Sequence, residues 1–303
     1  MFDVLIIGAG PAGMTAAIYA ARGNLKVGII EQGAPGGAMV NTSVIENYPG
    51  FKKIEGTSLA LEMFEQVNDL GVEYFGYSVI DIEKNEDIFK VTVEGLAEKL
   101  ESKALVIATG TKNKHLNIPG EETYKGKGIS WCAICDGSFY KNKPVAVIGG
   151  GNSALEEALY LADIASKVYV IHRRDEFRGA EILVSKLKVR DNVEFILNTI
   201  PLEFLGEENL KQIKLQNKLS SEVFTIDVDG CFEYVGQQPA NQLISKLEIT
   251  DERGYVIVDR NFETSIKGLY ACGDIVAKEI RQIATAINDG AIAALNIVKY
   301  CKE

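Results

Sequence analysis

The sequence predicts an α/β protein built from two Rossmann-like, doubly wound, three-layer nucleotide-binding domains. Three observations carry that prediction. A strand, a glycine turn, a helix and a second strand follow one another from Phe2 onward, and the same succession begins again at Pro144. The third is composition: 29 glycines in 303 residues, about 10% against an average near 7%, within a chain that is 24% charged and 47% hydrophobic. That is a globular chain, long enough for about two well-packed cores.

Each element follows from local pattern. Residues 2–7 are a short apolar run, too short for a buried helix and rich in branched side chains. A glycine turn follows, then an Ala-rich helix over 14–23, stopped by Gly23 and Asn24. Residues 25–30 form the next strand, which ends at Glu31. Residues 32–51, rich in Gly, Pro, Asn and Ser, read as a loop. A helix is expected over 57–70, then strands over 72–82, 88–93 and 103–108, and a polar linker over 112–120. The pattern restarts with a strand over 144–149, a helix over 155–162 and a strand over 167–171. A strand-rich stretch over 193–235 and a linker over 237–243 precede a strand at 268–271 and a long Ala/Ile-rich helix over 282–300. Order along the chain does not by itself assign the C-terminal segment to either domain.

Composition also excludes. His115 and His172 are the only histidines, so a zinc site built on several of them is ruled out and no metal site is expected. A Ser-His-Asp hydrolase would have to use one of those two. The net charge of −10 argues against nucleic acid and against an acidic membrane as partners. Residues 4–21 are uncharged, but Gly8, Gly10, Pro11 and Gly13 interrupt them and no basic residue precedes them, so neither a signal peptide nor a membrane span is expected. Five cysteines, an odd number, fit a reducing compartment and a cytoplasmic protein.

Gly8-Ala9-Gly10-Pro11-Ala12-Gly13 is a dinucleotide fingerprint. The first glycine makes the tight turn, the second lets backbone approach a pyrophosphate, and the third lets helix pack on strand. Helix N–H groups complete the anion site. Glu31 ends the following strand, where a carboxylate binds both ribose hydroxyls. A structural glycine turn is the alternative, and the site suits the ADP part of FAD or NAD equally. Gly149-Gly150-Gly151-Asn152-Ser153-Ala154 is the second fingerprint, and His172-Arg173-Arg174 with Arg178 ends its second strand. Guanidinium forks match a 2′-phosphate, so this site is expected to take NADPH over NADH; a solvated basic stretch is the alternative.

Cys132-Ala133-Ile134-Cys135 is a C-x-x-C. Zinc needs about four ligands, and Cys231, Cys272 and Cys301 are scattered, so a redox dithiol is favoured. Asp136 follows directly and is the best local proton donor for a leaving thiolate, with partial burial expected to raise its pKa; a turn or cap aspartate is the alternative. NADPH delivers a hydride, and a protein disulfide is a poor hydride acceptor. A flavin bridges the two, so FAD is expected at the first site and NADPH, as co-substrate, at the second.

Taken together, these motifs resemble the low-molecular-weight thioredoxin reductases of bacterial type, FAD/NADPH-dependent members of the pyridine nucleotide-disulfide oxidoreductases. The matching segments are GAGPAGMTAAIYAAR from Gly8, GGAMVNTSVIENYPGF from Gly36, ATG from Ala108, WCAICDG from Trp131, GGGNSALEEA from Gly149, HRRDEFR from His172, ACGD from Ala271 and RQIATAINDGAIAA from Arg281. The resemblance spans essentially the whole chain. It implies a discontinuous FAD domain, residues 1–113 and 244–303, with an NADPH domain carrying the dithiol inserted over 114–243. It implies a homodimer, one non-covalent FAD per chain, an NADPH domain that rotates, and thioredoxin as partner. Cys135 would be the flavin-proximal thiol, Cys132 the thiol that attacks thioredoxin, and Asp136 the acid/base. Gly8, Gly10, Pro11, Ala12, Gly13, Glu31, Gln32, Gly36, Gly37, Ala38, Asn47, Thr109, Gly110, Gly273, Asp274, Ile275, Arg281, Gln282 and Ile283 would hold FAD, with Asp274 on the ribityl chain. Gly149, Gly151, Asn152, Ser153, His172, Arg173, Arg174 and Arg178 would hold NADPH.

The chain departs from the family pattern in three places. Ala38-Met39 replaces Gln-Leu in the flavin loop, Ile134 replaces a smaller residue between the cysteines, and Ala240 separates Pro239 from Asn241. Rivals fit less well. A dithiol oxidase has no use for the basic run at 172–178, the hydroperoxide-reductase relative carries an additional N-terminal module, the ferredoxin-reductase relative lacks the C-x-x-C, and a redox sensor does not need a hydride-donor site.

Overall fold

The structure, a computed structural model, describes residues 1–302 apart from Ser43, Val44 and Glu46, and not the side chains of Asn41 and Cys135. Its contacts divide the chain into two compact units, Met1–Lys112 with Gln238–Glu303, and Asn113–Gln237.

The first unit opens with β1 (Phe2–Ile7), α1 (Pro11–Arg22) and β2 (Val27–Ile30), followed by α2 (Gly56–Asp69), β3 (Glu73–Phe75), β4 (Val79–Asn85), β5 (Ile88–Val93) and β6 (Leu100–Ile107). β7 (Thr111–Asn113) leads to the second unit. There follow α3 (Glu121–Tyr124), β8 (Ile129–Ser130), α4 (Ala133–Asp136), β9 (Pro144–Gly149), α5 (Asn152–Ala162), β10 (Lys167–Ile171), α6 (Glu181–Lys188) and β11 (Val193–Ile196). β12 (Thr199–Gly206), β13 (Leu210–Asn217), β14 (Val223–Asp227) and β15 (Gly230–Tyr234) complete that unit, and β16 (Gln237–Pro239) pairs with β7. The chain ends with β17 (Leu269–Ala271) and α7 (Ile283–Tyr300) in the first unit.

In the first unit a seven-stranded sheet runs β3-β2-β1-β6-β5-β4, and β17 also pairs with β6. β1 lies parallel to β2 and β6, and β17 parallel to the C-terminal half of β6, whereas β4, β5 and β6 pair antiparallel. β1 is apolar on both faces because both are covered. Val4 and Ile6 join a core with α1, α2 and α7, while Leu5 and Ile7 join a second core with residues from 244–276. The second unit repeats the plan with a five-stranded parallel sheet, β11-β10-β9-β15-β8, beside a three-stranded antiparallel sheet, β12-β13-β14. In β9, Val145 and Val147 face one core, Ala146 and Ile148 the other.

Several expectations change in detail. The strand expected over 72–82 is two strands, broken at Gly76-Tyr77-Ser78, where glycine and serine interrupt the apolar alternation. The loop over 32–51 contains a 3-10 turn, Gly37–Asn41. α6 is a helix that no strong cap announces, and α1 and α5 start three residues earlier than periodicity indicates, at the fingerprint turns themselves. In the linker expected over 237–243, Ala240 donates its N–H to the Gly110 carbonyl and accepts from Thr109 Oγ1, so residues from 238 onward pack with the first unit.

Candidate active site

The first fingerprint is closed by sterics at three points. Gly8 has φ +108°, and a Cβ there would lie 2.3 Å from the Ala108 carbonyl oxygen. A Cβ on Gly13 would lie 1.9 Å from the Gly8 oxygen, so α1 can rest on the turn only with glycine there. Gly37, at φ +56°, brings its backbone against Gly10, where a Cβ would be 3.1 Å from the Gly10 Cα, and Gly36 donates its N–H to the Ala9 carbonyl at 2.7 Å. The loop at 36–37 is thereby fastened to the phosphate turn. α1 has no side-chain cap, and Pro11 at its first position has no N–H to leave unpaired. The N–H groups of its first turn are the donors a pyrophosphate needs.

Glu31 sits one residue past β2. Its Oε2 accepts the Ala9 N–H at 2.9 Å and its Oε1 the Gly33 N–H at 3.0 Å. Two backbone donors fix the carboxylate, and each oxygen keeps a lone pair for a vicinal diol. It lines a cleft of about 340 Å³ together with Gly8, Gln32 and Thr109. Tyr77 and Lys112 line the same cleft, and sequence reasoning did not name either. The break at Gly76-Tyr77-Ser78 was the available signal.

Residues from the far end of the chain join this unit's site. Asn47 Nδ2 donates to Gln282 Oε1 at 3.1 Å, across 235 residues of sequence. Gln282 caps α7 with Thr285 in a reciprocal capping box, and Ile283 begins the helix. Gly273, Asp274 and Ile275 form a 3-10 turn, and Arg281 braces it, donating from Nε to the Asp274 carbonyl at 3.2 Å. The Arg281 guanidinium lies 4.1 Å from the centre of the Tyr255 ring. Asp274 Oδ1 is buried with no partner among the described residues, and burial raises the acid's pKa. A buried acceptor without a donor fits a hydroxylated chain such as ribityl. Sequence reasoning missed Asp289 and Lys278, which hold this turn. Asp289 Oδ2 accepts from the Gly273 N–H at 3.1 Å and from Lys278 Nζ at 2.6 Å. Ala38 is exposed in the 3-10 turn Gly37–Asn41.

The second fingerprint has the same construction. Gly149 ends β9, and Asn152 and Ser153 open α5 without a side-chain cap. The segment after β10 is tied to the turn: the N–H groups of Arg178 and Gly179 donate to the Gly150 carbonyl at 2.8 and 3.1 Å, and Asn152 Oδ1 accepts from Ala180 N–H at 2.7 Å. Gly151 has open space where a Cβ would be. His172 is buried beneath Gly150, whose Cβ would fall 2.2 Å from the imidazole, and stacks on Phe177 at 5.2 Å. Burial, then the neighbouring arginines, lower its pKa, so it supports the turn as a neutral ring. Arg173, Arg174 and Arg178 are exposed, and none forms an ion pair among the described residues. Three unpaired guanidinium groups beside a phosphate turn fit a second phosphate.

In the same unit, the C-x-x-C follows β8 and runs into α4, which holds Ala133, Ile134 and Cys135. Cys132 is disulfide-bonded, and Cys231, Cys272 and Cys301 are free thiols. The Cys135 side chain lies outside the described residues, so its pairing remains an expectation. Ser130, which sequence reasoning did not name, links the acid to the thiol segment. Its Oγ donates to Asp136 Oδ2 at 2.6 Å and accepts the Cys132 N–H at 3.1 Å. Asp136 is half-buried, and the Ser130 hydroxyl joins its carboxyl to the backbone of Cys132. Among the described residues no group of three or more His, Cys, Asp or Glu is placed to hold a metal, and no helix is long and apolar enough to cross a membrane.

Comparison with known proteins agrees with this geometry. The family model described as pyridine nucleotide-disulphide oxidoreductase matches residues 2–290. The chain is 45% identical to the thioredoxin reductase of Mycoplasma pneumoniae, over 98% of this chain and 94% of that one. It is 41% identical to that of Listeria innocua, over 100% and 95%. The crystal structure of Lactococcus lactis thioredoxin reductase matches with a TM-score of 0.95 at 42% identity, over 100% of this chain and 99% of that one.

Proposed function

The chain belongs to the pyridine nucleotide-disulphide oxidoreductases, among the bacterial-type thioredoxin reductases, and from that premise we propose that it carries electrons from NADPH to the disulfide of thioredoxin. The observation that carries the reading is Cys132: it is held in a disulfide, its backbone linked through Ser130 to the Asp136 carboxyl, in the unit that bears the basic second fingerprint.

The proposed roles follow from position. One non-covalent FAD per chain would lie along Gly8–Gly13, with Glu31 on its ribose, Asp274 on its ribityl chain, and Asn47, Thr109, Gln282 and Ile283 around the remainder. NADPH would lie on Gly149, Gly151, Asn152 and Ser153, with Arg173, Arg174 and Arg178 on its 2′-phosphate. When bound, a flavin accepts hydride from a nicotinamide and returns both electrons to a disulfide. The protein's own contribution is at Cys132, Cys135 and Asp136. Cys132, as thiolate, attacks one sulfur of the partner disulfide, and the other partner sulfur leaves as a thiolate. Asp136, held by Ser130, supplies that sulfur with a proton. Cys135 then attacks Cys132, the second partner sulfur leaves, and the Cys132–Cys135 disulfide is restored. The two electrons lost by the dithiol are those gained by thioredoxin. A homodimer and a cytoplasmic location belong to the same reading.

Steady-state turnover with NADPH and thioredoxin tests it. The purified protein is expected to be yellow. Cys132→Ser is expected to leave bleaching of the flavin by NADPH intact while thioredoxin reduction stops; thioredoxin reduction that survives this substitution overturns the assignment.

A further inference from the structure

Two residues stand beside the dithiol turn with no role in the steps above. Tyr234, the last residue of β15, is largely buried, and its hydroxyl oxygen accepts the Ala133 N–H at 2.9 Å. The same hydroxyl hydrogen-bonds the carboxyl of Glu157 on α5, and that carboxyl also accepts from the Ile134 backbone N–H. Ala133 and Ile134 are the two residues between the cysteines. Their N–H groups open α4, where no residue of α4 itself can bond them. Residues 23 and 101 positions away in sequence from the N–H groups they bond therefore complete the dithiol turn, a distance no local motif announces.

We propose that Glu157, together with the Tyr234 hydroxyl, is a positioning residue of the C-x-x-C: it fixes the backbone between the two cysteines and sets a carboxylate beside Cys132 that restrains thiolate formation there. This rests on the reading of Cys132 as the reactive thiol. The surroundings suit the role. Glu157 Oε2 is buried with no partner among the described residues. The titratable groups facing the carboxyl are Glu156 on α5 itself, Tyr234 from β15 and, across that hydroxyl, Asp136 from α4. Burial pushes the Glu157 carboxyl up to about 7, with Glu156 adding to the rise and the bonds from Tyr234 and Ile134 opposing it. The group thus changes charge near neutrality. A nearby negative charge disfavours a thiolate, and the thiolate is the nucleophile.

The experiment follows alkylation of Cys132 in the full-length, flavin-loaded enzyme. A phosphine reductant opens the disulfide, iodoacetamide traps the thiolate between about pH 5.5 and 9, and peptide mass reads Cys132. The wild-type rate profile is expected to show an inflection near 7 below the thiol's own. Glu157→Gln is expected to remove it and, near pH 8.5 where the wild-type carboxyl is ionised, to speed alkylation by roughly threefold to tenfold, the size of a shift of about half to one pKa unit. Tyr234→Phe is expected to move the inflection to higher pH, because the lost hydrogen bond held the carboxyl down. Bleaching of the flavin by NADPH reports folding in each variant. If Glu157→Gln fails that control, the Tyr234→Phe profile decides alone. A wild-type profile in the deciding variants overturns the proposal. A Cys132 that resists alkylation in the wild type at every pH overturns instead the reading of that cysteine as the reactive thiol.

Discussion

Glu31 and the pair Arg173 and Arg174 stand at corresponding places, just past the second strand of two copies of one motif. Each motif was legible in the sequence because its chemistry is local: three glycines, a helix start and the charge one strand later. The Glu31 carboxylate, fixed by Ala9 and Gly33, repels a 2′-phosphate, whereas unpaired guanidinium groups attract one. Replacing Arg173 and Arg174 together by Ala is expected to raise KM for NADPH at least about tenfold more than KM for NADH, since two charge-assisted contacts of about 1.5–3 kcal/mol each are lost. Parallel initial-rate series with the two nucleotides check this, and equal effects would contradict the phosphate assignment. Ser130 was not legible because a lone serine two residues before the first cysteine carries no motif, and Tyr234 and Glu157 were not because each reaches the dithiol turn through tertiary contacts. Glu233 is a further case. It is almost wholly buried on β15, and burial, then the neighbouring Glu121, push its carboxyl up to about 9. The folded protein holds that proton and the unfolded chain releases it near 4.5, so the associated stability is complete below that value and drains away as pH rises through about 9. Glu233→Gln is expected to flatten this decline. Urea midpoints measured across the range test it, and a slope unchanged from wild type would count against a neutral Glu233.

At the scale of elements, the packing of α1 on α7 joins the two ends of the chain. Ala12, Ala16, Ala17 and Ala20 on α1 and Ala286, Gly290, Ala293 and Ala294 on α7 are all buried, and a Cβ on Gly290 would lie 2.2 Å from the Ala12 carbonyl oxygen. Gly290→Ala must therefore part the helices at the turn that carries Gly10 and Gly13. It is expected to cost about 1–3 kcal/mol, seen as a lowered thermal midpoint, and to loosen flavin retention on dialysis. A midpoint equal to wild type would mean that the helices part freely. The helix over 283–300 was readable from its apolar repeat, but its partner was not, since small residues signal close approach without naming what approaches. The strand expected over 72–82 failed for a related reason: apolar content ran on through Tyr77, while Gly76 and Ser78 broke the pairing.

At the scale of the whole molecule, the unit Asn113–Gln237 is one unbroken stretch with its own cores, and the other unit is assembled from two stretches. A fragment spanning 113–237 is expected to unfold cooperatively by itself, as followed by circular dichroism in urea, whereas residues 1–112 alone are expected to remain disordered because α7 and β17 are missing. A non-cooperative fragment would contradict this. The resemblance to a known family made the insertion legible; spacing could not, because nothing local marks which sheet β17 joins. Each unit also holds its own ends of the crossing together. In one, the Gly110 carbonyl accepts the N–H of Ala240; in the other, Gly236 accepts that of Lys114. To the first unit the whole insertion therefore weighs as a short closed loop. The entropy of closing so long a connection is carried by the inserted unit's own folding, and replacing 113–237 by a few flexible residues leaves the flanking fold with almost nothing further to lose.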